Sequence, residues 1–375
     1  MKIQICLVSA QAAANLLPAL DSRLKPEKAV LVVSSKMLKQ ADNLQKVMQE
    51  AGIKVEQRRL DNEHDYGRTE AKLLQIAEAH DGAEVALNIT GGTKLMSLAA
   101  QKVAAAAGWR MFYVDVDTDQ VNWLDESAKN GHTLSEQLRL PHYLQGYGFN
   151  LPEKPKILQV SPEQQQLTET LILQIDSLEK PLSQLNWLAQ QAENHNLLKV
   201  TMDEYQRDSR SLDVLLHNFE EAKALKIQGN NIIFASEADR DFVKGGWLEA
   251  HVSKALNGQK KELSIRDSSS NLLVADGDGV SNELDIAFMA RNRLFIIECK
   301  TARMDKPQAP KANEALFKLA EISRRIGGLG TRSMLASYRA LRDSEKRLAK
   351  VLNIELVCGA ELARLDERLK HWVGR

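Results

Sequence analysis

Along the first 125 residues, short apolar and β-branched runs alternate with segments whose apolar positions recur every three to four residues. The runs predict strands over 3–9, 29–34, 53–60, 84–89 and 111–116, and the periodic segments predict helices over 11–20, 36–51, 67–80 and 93–107. Strands separated by single helices form a parallel sheet with helices on both faces, a doubly wound, Rossmann-like plan. The run Ala-Val-Leu-Val-Val at 29–33 is apolar throughout, as a strand covered on both faces should be. Gly52 and Gly108 stand where helix C-caps are needed.

Residues 146–155 carry Gly, Asn and two prolines between periodic segments and read as a linker. Beyond it the pattern predicts helices over 162–178, 181–194 and 210–224, then a β-hairpin within 225–235 with Gly229-Asn230 at its turn. Helices followed by a small hairpin suggest a winged-helix module. A third unit opens with a helix holding Gly245-Gly246-Trp247-Leu248-Glu249. It continues with strands over 262–265, 272–275, 282–289 and 294–300, helix 312–326, strand 333–336, helix 341–352, strand 354–358 and a terminal helix. The expected organisation is an α/β chain of three domains, 1–145, 156–237 and 238–375.

Composition narrows the class. With 43% hydrophobic and 27% charged residues among 375, the chain is an ordinary globular protein. Fifty Lys and Arg balance fifty Asp and Glu, so no overall charge draws it to nucleic acid or to an anionic membrane. Between Lys300 and Lys350, however, 13 basic residues face 5 acidic ones, a local surplus that includes Arg303, Lys311, Lys318, Arg324, Arg325, Arg332 and Arg339 and would suit a nucleic-acid backbone. Cys6, Cys299 and Cys358 are odd in number and widely spaced, which argues against a disulfide framework. The N-terminus reads as a strand rather than a signal peptide, and no apolar run is long enough to span a bilayer, so a cytoplasmic protein without membrane contact is expected. The eight histidines contain no H-E-x-x-H pair, leaving a zinc hydrolase without support.

The richest chemistry lies in 282–300. With Arg291-Asn292 as a two-residue turn, Ala290 faces Arg293, Phe288 faces Phe295, and Asp285 faces Glu298. Opposed β-carbons stand ~4.5–5.5 Å apart, so the two carboxylates can share one divalent cation. Lys300, two residues beyond Glu298, points to the same face, with Glu283 opposite it. Paired acids on apolar strands are costly unless a cation neutralises them. The lysine can then orient a water and stabilise charge developing on a phosphate, and Glu249 can add an outer carboxylate. Phosphodiester hydrolysis needs this chemistry. The succession Glu249, Asp285, Glu298-Cys299-Lys300 resembles the active-site pattern of PD-(D/E)XK nucleases, although Glu283-Leu284 stands where the eponymous proline would precede Asp285.

A second motif ends the fourth predicted strand: Asn88-Ile89-Thr90-Gly91-Gly92-Thr93-Lys94-Leu95-Met96. Paired glycines let a backbone approach phosphate, and free N–H groups at a helix start favour an anion. It is neither a Walker A loop nor a G-x-G-x-x-G turn. The phrase resembles the signature of CARF domains, Rossmann-like sensors of cyclic oligoadenylates in type III CRISPR defence. That resemblance assigns Thr90, Gly91, Gly92, Thr93 and Lys94 to phosphate or ribose, and places Met96 near a base or in the core. It adds Ser9, Ala10 and Gln11 after the first strand, and Ser34 and Ser35 after the second, by position.

A CARF domain, a winged-helix linker and a PD-(D/E)XK nuclease in this order resemble the cyclic-tetra-adenylate-activated CARF nucleases over essentially the whole chain. The resemblance implies a homodimeric, Mn²⁺- or Mg²⁺-dependent endonuclease cutting DNA, RNA or both. In it Asp285, Glu298 and the Cys299 carbonyl hold the metal, Lys300 positions the water and Glu249 assists. The alternative is a ligand-responsive transcription regulator whose middle module reads duplex DNA and whose C-terminal domain is scaffold. Degradation of the activator by the N-terminal domain finds no general base there.

Overall fold

The computed structural model describes residues 1–124, 131–135, 138–156, 158–301 and 311–374. Strands β1 (Ile3–Leu7), β2 (Lys28–Val33), β3 (Lys54–Arg59), β4 (Val85–Asn88) and β5 (Arg110–Asp115) alternate with helices α1 (Ala13–Leu20), α2 (Leu38–Glu50), α3 (Tyr66–Ala79) and α4 (Lys94–Ala106). These strands are parallel in the order β3-β2-β1-β4-β5. Cys6 and Leu31 pack on one face with Leu16 and Leu44, whereas Ile5, Val30 and Leu87 pack on the other with Leu73 and Val103. This is the doubly wound plan that the pattern predicted. Two short strands it did not predict, β6 (Gln120–Trp123) and β7 (His132–Thr133), extend the sheet antiparallel beyond β5, and helix α5 (Leu140–Gly146) follows. Strand order reverses at β1, which has β2 on one side and β4 on the other. Doubly wound sheets bind ligands in the crevice beyond the carboxyl ends of such strands.

The middle unit comprises α6 (Pro162–Leu173), α7 (Ile175–Asn194), β8 (Lys199–Thr201), α8 (Glu204–Arg207), α9 (Arg210–Glu221), β9 (Lys226–Gln228) and β10 (Asn231–Ile233), with an antiparallel sheet ordered β8-β10-β9. Ser161 starts α6 with a reciprocal capping box to Gln164, both bonds 3.1 Å. The expected break before Pro181 lies instead at Gln174, and Pro181 sits inside α7. Burial of Leu178, Pro181, Leu182 and Leu185 along one stripe outweighs the single backbone bond that the proline removes.

The C-terminal unit begins with α10 (Glu237–Asp241), a π-turn over Phe242–Gly246 and α11 (Trp247–Gly258). Strands β11 (Ile265–Ala275), β12 (Ser281–Ala290) and β13 (Arg293–Lys300) form an antiparallel meander. Helices α12 (Lys311–Gly327), α13 (Asp343–Val351) and α14 (Leu365–Gly374) accompany β14 (Arg332–Ser337) and β15 (Ile354–Cys358), which continue the sheet in parallel. The strand expected at 262–265 is a turn over 262–264, and the one expected at 272–275 starts earlier: β11 runs from Ile265 through Ser268-Ser269-Ser270. Those serines are not a turn, because the hydroxyls of Ser269 and Ser270 are buried and bonded to the Lys156 carbonyl and to Ser253.

Residues 146–155 do not hang free. Asn150 exchanges backbone bonds of 2.8 and 3.0 Å with Ala275, and the Lys156 carbonyl accepts from Ser270 N–H at 2.7 Å, so the segment runs along the edge of β11. The C-terminal sheet consequently has two cores. Phe288, Phe295 and Ile297 pack with Leu182, Leu185 and Phe219 of the middle unit, while Ala287, Met289 and Ile296 share a core with Leu16, Leu44 and Tyr143 of the N-terminal unit. Among the described residues no helix is long and apolar enough to cross a membrane.

Candidate functional site

The β12–β13 hairpin sets the site. Arg291 and Asn292 both take left-handed φ, 49° and 55°, the conformation of a tight two-residue hairpin turn. Ala290 pairs with Arg293, Phe288 with Phe295 and Ile286 with Ile297, the register expected from the sequence. The rings of Phe288 and Phe295 stack at 4.9 Å with Trp372 edge-on, which pins that register. One step beyond the ladder, Asp285 Oδ2 accepts a hydrogen bond from the Cys299 N–H at 2.7 Å. Lys300 Nζ lies 2.5 Å from Glu298 Oε1 and 3.9 Å from Asp285 Oδ2. The three side chains come together as the hairpin arithmetic requires.

Glu249 enters from α11, just past the π-turn. A β-carbon on Gly245 would stand 2.3 Å from Thr301 Oγ1, so glycine lets the turn close on the end of β13. Burial, reinforced by Asp285 and Glu283, pushes the Glu249 carboxyl up to about 8. Burial and the Glu298 charge push Asp285 up to about 6. Burial pulls Lys300 down, but Glu298 and Asp285 together outweigh it and leave its pKa raised, so the side chain is an ammonium, not a base. The buried Cys299 thiol is pushed well up and stays neutral, leaving its backbone as the part that faces Asp285. Asn271 of β11, unremarked in the sequence, lines the cleft with Glu249 and favours its charged form. A cleft of about 1200 Å³ opens here, lined by Asp285, Lys300, Glu249 and Glu283 together with Asn186 and Trp187 of α7.

Crowded acids give a pH signature. Both carboxyls bind protons more tightly in the folded chain than at their ordinary values of 3.8 and 4.5, so their stabilising contribution is complete below those values and fades as pH rises through about 6 and then 8. The metal-free protein should lose stability on the order of 4 kcal/mol between pH 5.5 and 8.5, most of it from Glu249. Thermal melts across that range are the measurement. Glu249→Gln should flatten the upper half of the slope; an unchanged slope would show that the carboxyls are not crowded.

At the N-terminal crevice, the loops after β1 and β4 pack together. A β-carbon on Gly91 would stand 2.1 Å from the Leu7 carbonyl oxygen and 3.3 Å from Ser9 Oγ, and Gly92 takes a left-handed φ of 77°. Buried Asn88 ties the region together: its amide donates to Ala14 O at 2.8 Å and Asn15 Oδ1 at 3.2 Å, and its oxygen accepts from Thr90 N at 3.0 Å and Thr90 Oγ1 at 2.6 Å. Thr90 Oγ1 also accepts from Val114 N–H at 2.7 Å, so this hydroxyl is spent on holding the loop. Thr93 caps α4, accepting from Met96 N–H at 3.2 Å, and Lys94 is exposed on the first helical turn. Met96 is buried in the core beside α3. Ala10 is exposed, Ser34 is buried and Ser35 bonds Glu63 at 3.4 Å. Gln11 turns the other way, its oxygen within 3.4 Å of Tyr147 Oη and of the Leu329 N–H in the C-terminal unit. Asn88 and Asn15 were the residues to notice: an asparagine ending an apolar strand has to find partners.

Among the described residues, Lys300 is the member of the basic surplus that lines the cleft. Arg339 is buried and holds Glu179 and Ser183 of α7, and Arg325 pairs with Asp276 at 2.9 Å and Glu321 at 3.5 Å. Arg303 and the side chain of Lys311 lie outside the described residues. Lys318, Arg324 and Arg332 are not among the residues that line the cleft.

With this geometry in place, likeness to known proteins becomes informative. Residues 3–143 match the family described as the Card1 CARF domain, and residues 236–375 match the Card1-like endonuclease domain. The chain joins a CARF domain to a Card1-like endonuclease domain. The crystal structure of protein VC1899 from Vibrio cholerae is similar throughout: 26% identity, TM-score 0.89, covering 100% of this chain and 98% of that one. Can2 from Sulfobacillus thermosulfidooxidans, solved in complex with cyclic tetra-adenylate, shares the fold at 24% identity and TM-score 0.85, covering 100% and 99%. A type III CRISPR defence DNA nuclease activated by cyclic oligoadenylate shares it at 18% identity and TM-score 0.64, with this chain spanning 51% of its length. No curated protein matches the sequence.

Proposed function

We propose that this CARF endonuclease is a metal-dependent nuclease that cuts phosphodiester bonds of DNA, RNA or both when cyclic tetra-adenylate occupies its CARF crevice. The observation that carries the reading is the Asp285–Glu298–Lys300 cluster, assembled on the β12–β13 hairpin, whose Asp285 and Lys300 line a cleft between the endonuclease domain and the middle unit. Among the described residues no three His, Cys, Asp or Glu side chains form a ready-made metal cage. Two carboxylates with a backbone carbonyl are nonetheless the donor set for Mg²⁺ or Mn²⁺, hard cations that keep waters and take remaining ligands from substrate phosphate. The raised carboxyl pKa values fit the same view, since a cation would relieve their crowding. When bound, it would supply Lewis-acid activation of water and neutralise phosphate charge.

The chain's own residues do the rest. Asp285, held by the Cys299 N–H, and Glu298 are the proposed cation ligands, with the Cys299 carbonyl as the third proposed donor. Lys300, kept protonated, orients the attacking water and meets the charge building on the phosphate. Glu249 accepts or returns a proton within the cleft, its raised pKa lying near neutral pH. For the sensor, the positive end of α4 and Lys94 suit a phosphate. A two-fold symmetric ring suits a homodimer, and Leu95 and Leu98, exposed on α4 beside the crevice, suit burial against a second copy. The middle unit, in which helices precede a small antiparallel sheet, is on this reading a winged-helix module that serves as a lever between sensor and effector.

The test is cleavage of labelled single-stranded RNA, single-stranded DNA and supercoiled plasmid, with and without Mn²⁺ and cyclic tetra-adenylate. Cutting only when both are present is the expected result. Cutting that ignores either one would overturn that half of the reading.

A further inference from the structure

Five large apolar side chains of α7, Ile175, Leu178, Leu182, Leu185 and Leu188, are buried, whereas Trp187 is 53% exposed and lines the cleft with Asp285 and Lys300. Its position is fixed by its neighbour. The Asn186 carboxamide oxygen accepts from Thr301 Oγ1 at 3.2 Å, and its amino group donates to the Lys244 and Leu182 carbonyls at 3.1 and 3.2 Å. Thr301 directly follows Lys300, so the indole is carried by a helix bonded to the end of the strand that presents the lysine.

The charge of the cleft shows what the indole is for. Among the described residues, Glu193, Asp239, Asp241, Glu283 and Asp285, beside the proton-retaining Glu249, line it against Lys244 and Lys300, and Lys244 is already 2.6 Å from Glu193. Such a wall attracts a polyphosphate backbone weakly, so a nucleotide chain held there has to be gripped through its bases. Every nucleobase offers a π-face, and stacking on an aromatic side chain tolerates any sequence. We propose that Trp187 is the base platform of the cleft, stacking an unpaired nucleobase next to the phosphate presented to Lys300. This rests on the nuclease reading and names the contact that reading lacks.

The test compares wild type, Trp187→Ala and Trp187→Phe with activator and Mn²⁺. Substrates are a short labelled oligonucleotide and the same strand made abasic around its cleavage position. Trp187→Ala should raise KM about 5- to 150-fold with a smaller change in kcat, Phe should restore most of it, and the abasic strand should be cut alike by all three. Unchanged KM in Trp187→Ala, or an equal loss on the abasic strand, would overturn the platform. Fluorescence anisotropy of the oligonucleotide separates this from a failure of the nuclease reading. If wild type binds without cutting, weaker binding by Trp187→Ala still supports the platform and equal binding sinks it. If wild type neither binds nor cuts, both readings fall.

Discussion

Asp285→Asn is expected to abolish metal- and activator-dependent cleavage, a loss on the order of 10²–10³-fold or more, while leaving the protein as stable as before. The substitution preserves shape and keeps an oxygen to accept the Cys299 N–H at 2.7 Å, so the hairpin loses no bond. What disappears is one negative charge from a site where burial and the Glu298 charge already press the carboxyl up to about 6. At pH 8 the metal-free variant should therefore melt at the same temperature or higher, because a crowded buried anion has been removed. Single-turnover cleavage and a thermal melt on the same sample decide the matter. A variant that melts early would mark Asp285 as a structural residue, and one that cuts normally would remove it from the reaction.

Gly91→Ala should disconnect the sensor. A methyl group at this position would stand 2.1 Å from the Leu7 carbonyl oxygen, a backbone atom that cannot swing aside, so the loop after β4 has to part from β1. Overpacking of this kind costs about 1–3 kcal/mol, and here the displaced segment carries the start of α4 and Lys94. The expected outcome is loss of measurable cyclic tetra-adenylate binding by calorimetry and loss of activated cleavage. Wild-type affinity in Gly91→Ala would show that the ligand sits elsewhere.

Much of this molecule was readable from residue pattern, and the exceptions share a physical cause. Strands β1, β2 and β4 were legible because strands covered on both faces are mostly apolar, and the hairpin register because a two-residue turn leaves no freedom in the pairing. By contrast, β6, β7 and β8 are two to four residues long and are made into strands by their neighbours, not by their own sequence. Ser268-Ser269-Ser270 imitates a turn because polarity says nothing of partners supplied by Lys156 and Ser253, distant in the chain. The same limit applies at the sites. Asp285, Glu298 and Lys300 sit on adjacent strands and announced one another, whereas Gln11 faces the C-terminal unit and Asn186 meets Thr301 across 115 residues, contacts that only tertiary packing creates. Thr90 lies in the crevice as expected, yet its hydroxyl serves Asn88 and Val114.

The doubly shared sheet has a consequence for anyone wishing to graft this effector onto another sensor. One surface of β12 and β13 is completed by leucines of the middle unit, the other by side chains of the N-terminal unit, and residues 150–156 run along its margin. Excising residues 236–375 would lay bare hydrophobic ground on both sides at once, inviting aggregation rather than yielding a portable enzyme. A chimera has to import the neighbouring surfaces along with β12 and β13, and substitutions at those seams will be tolerated only in matched sets.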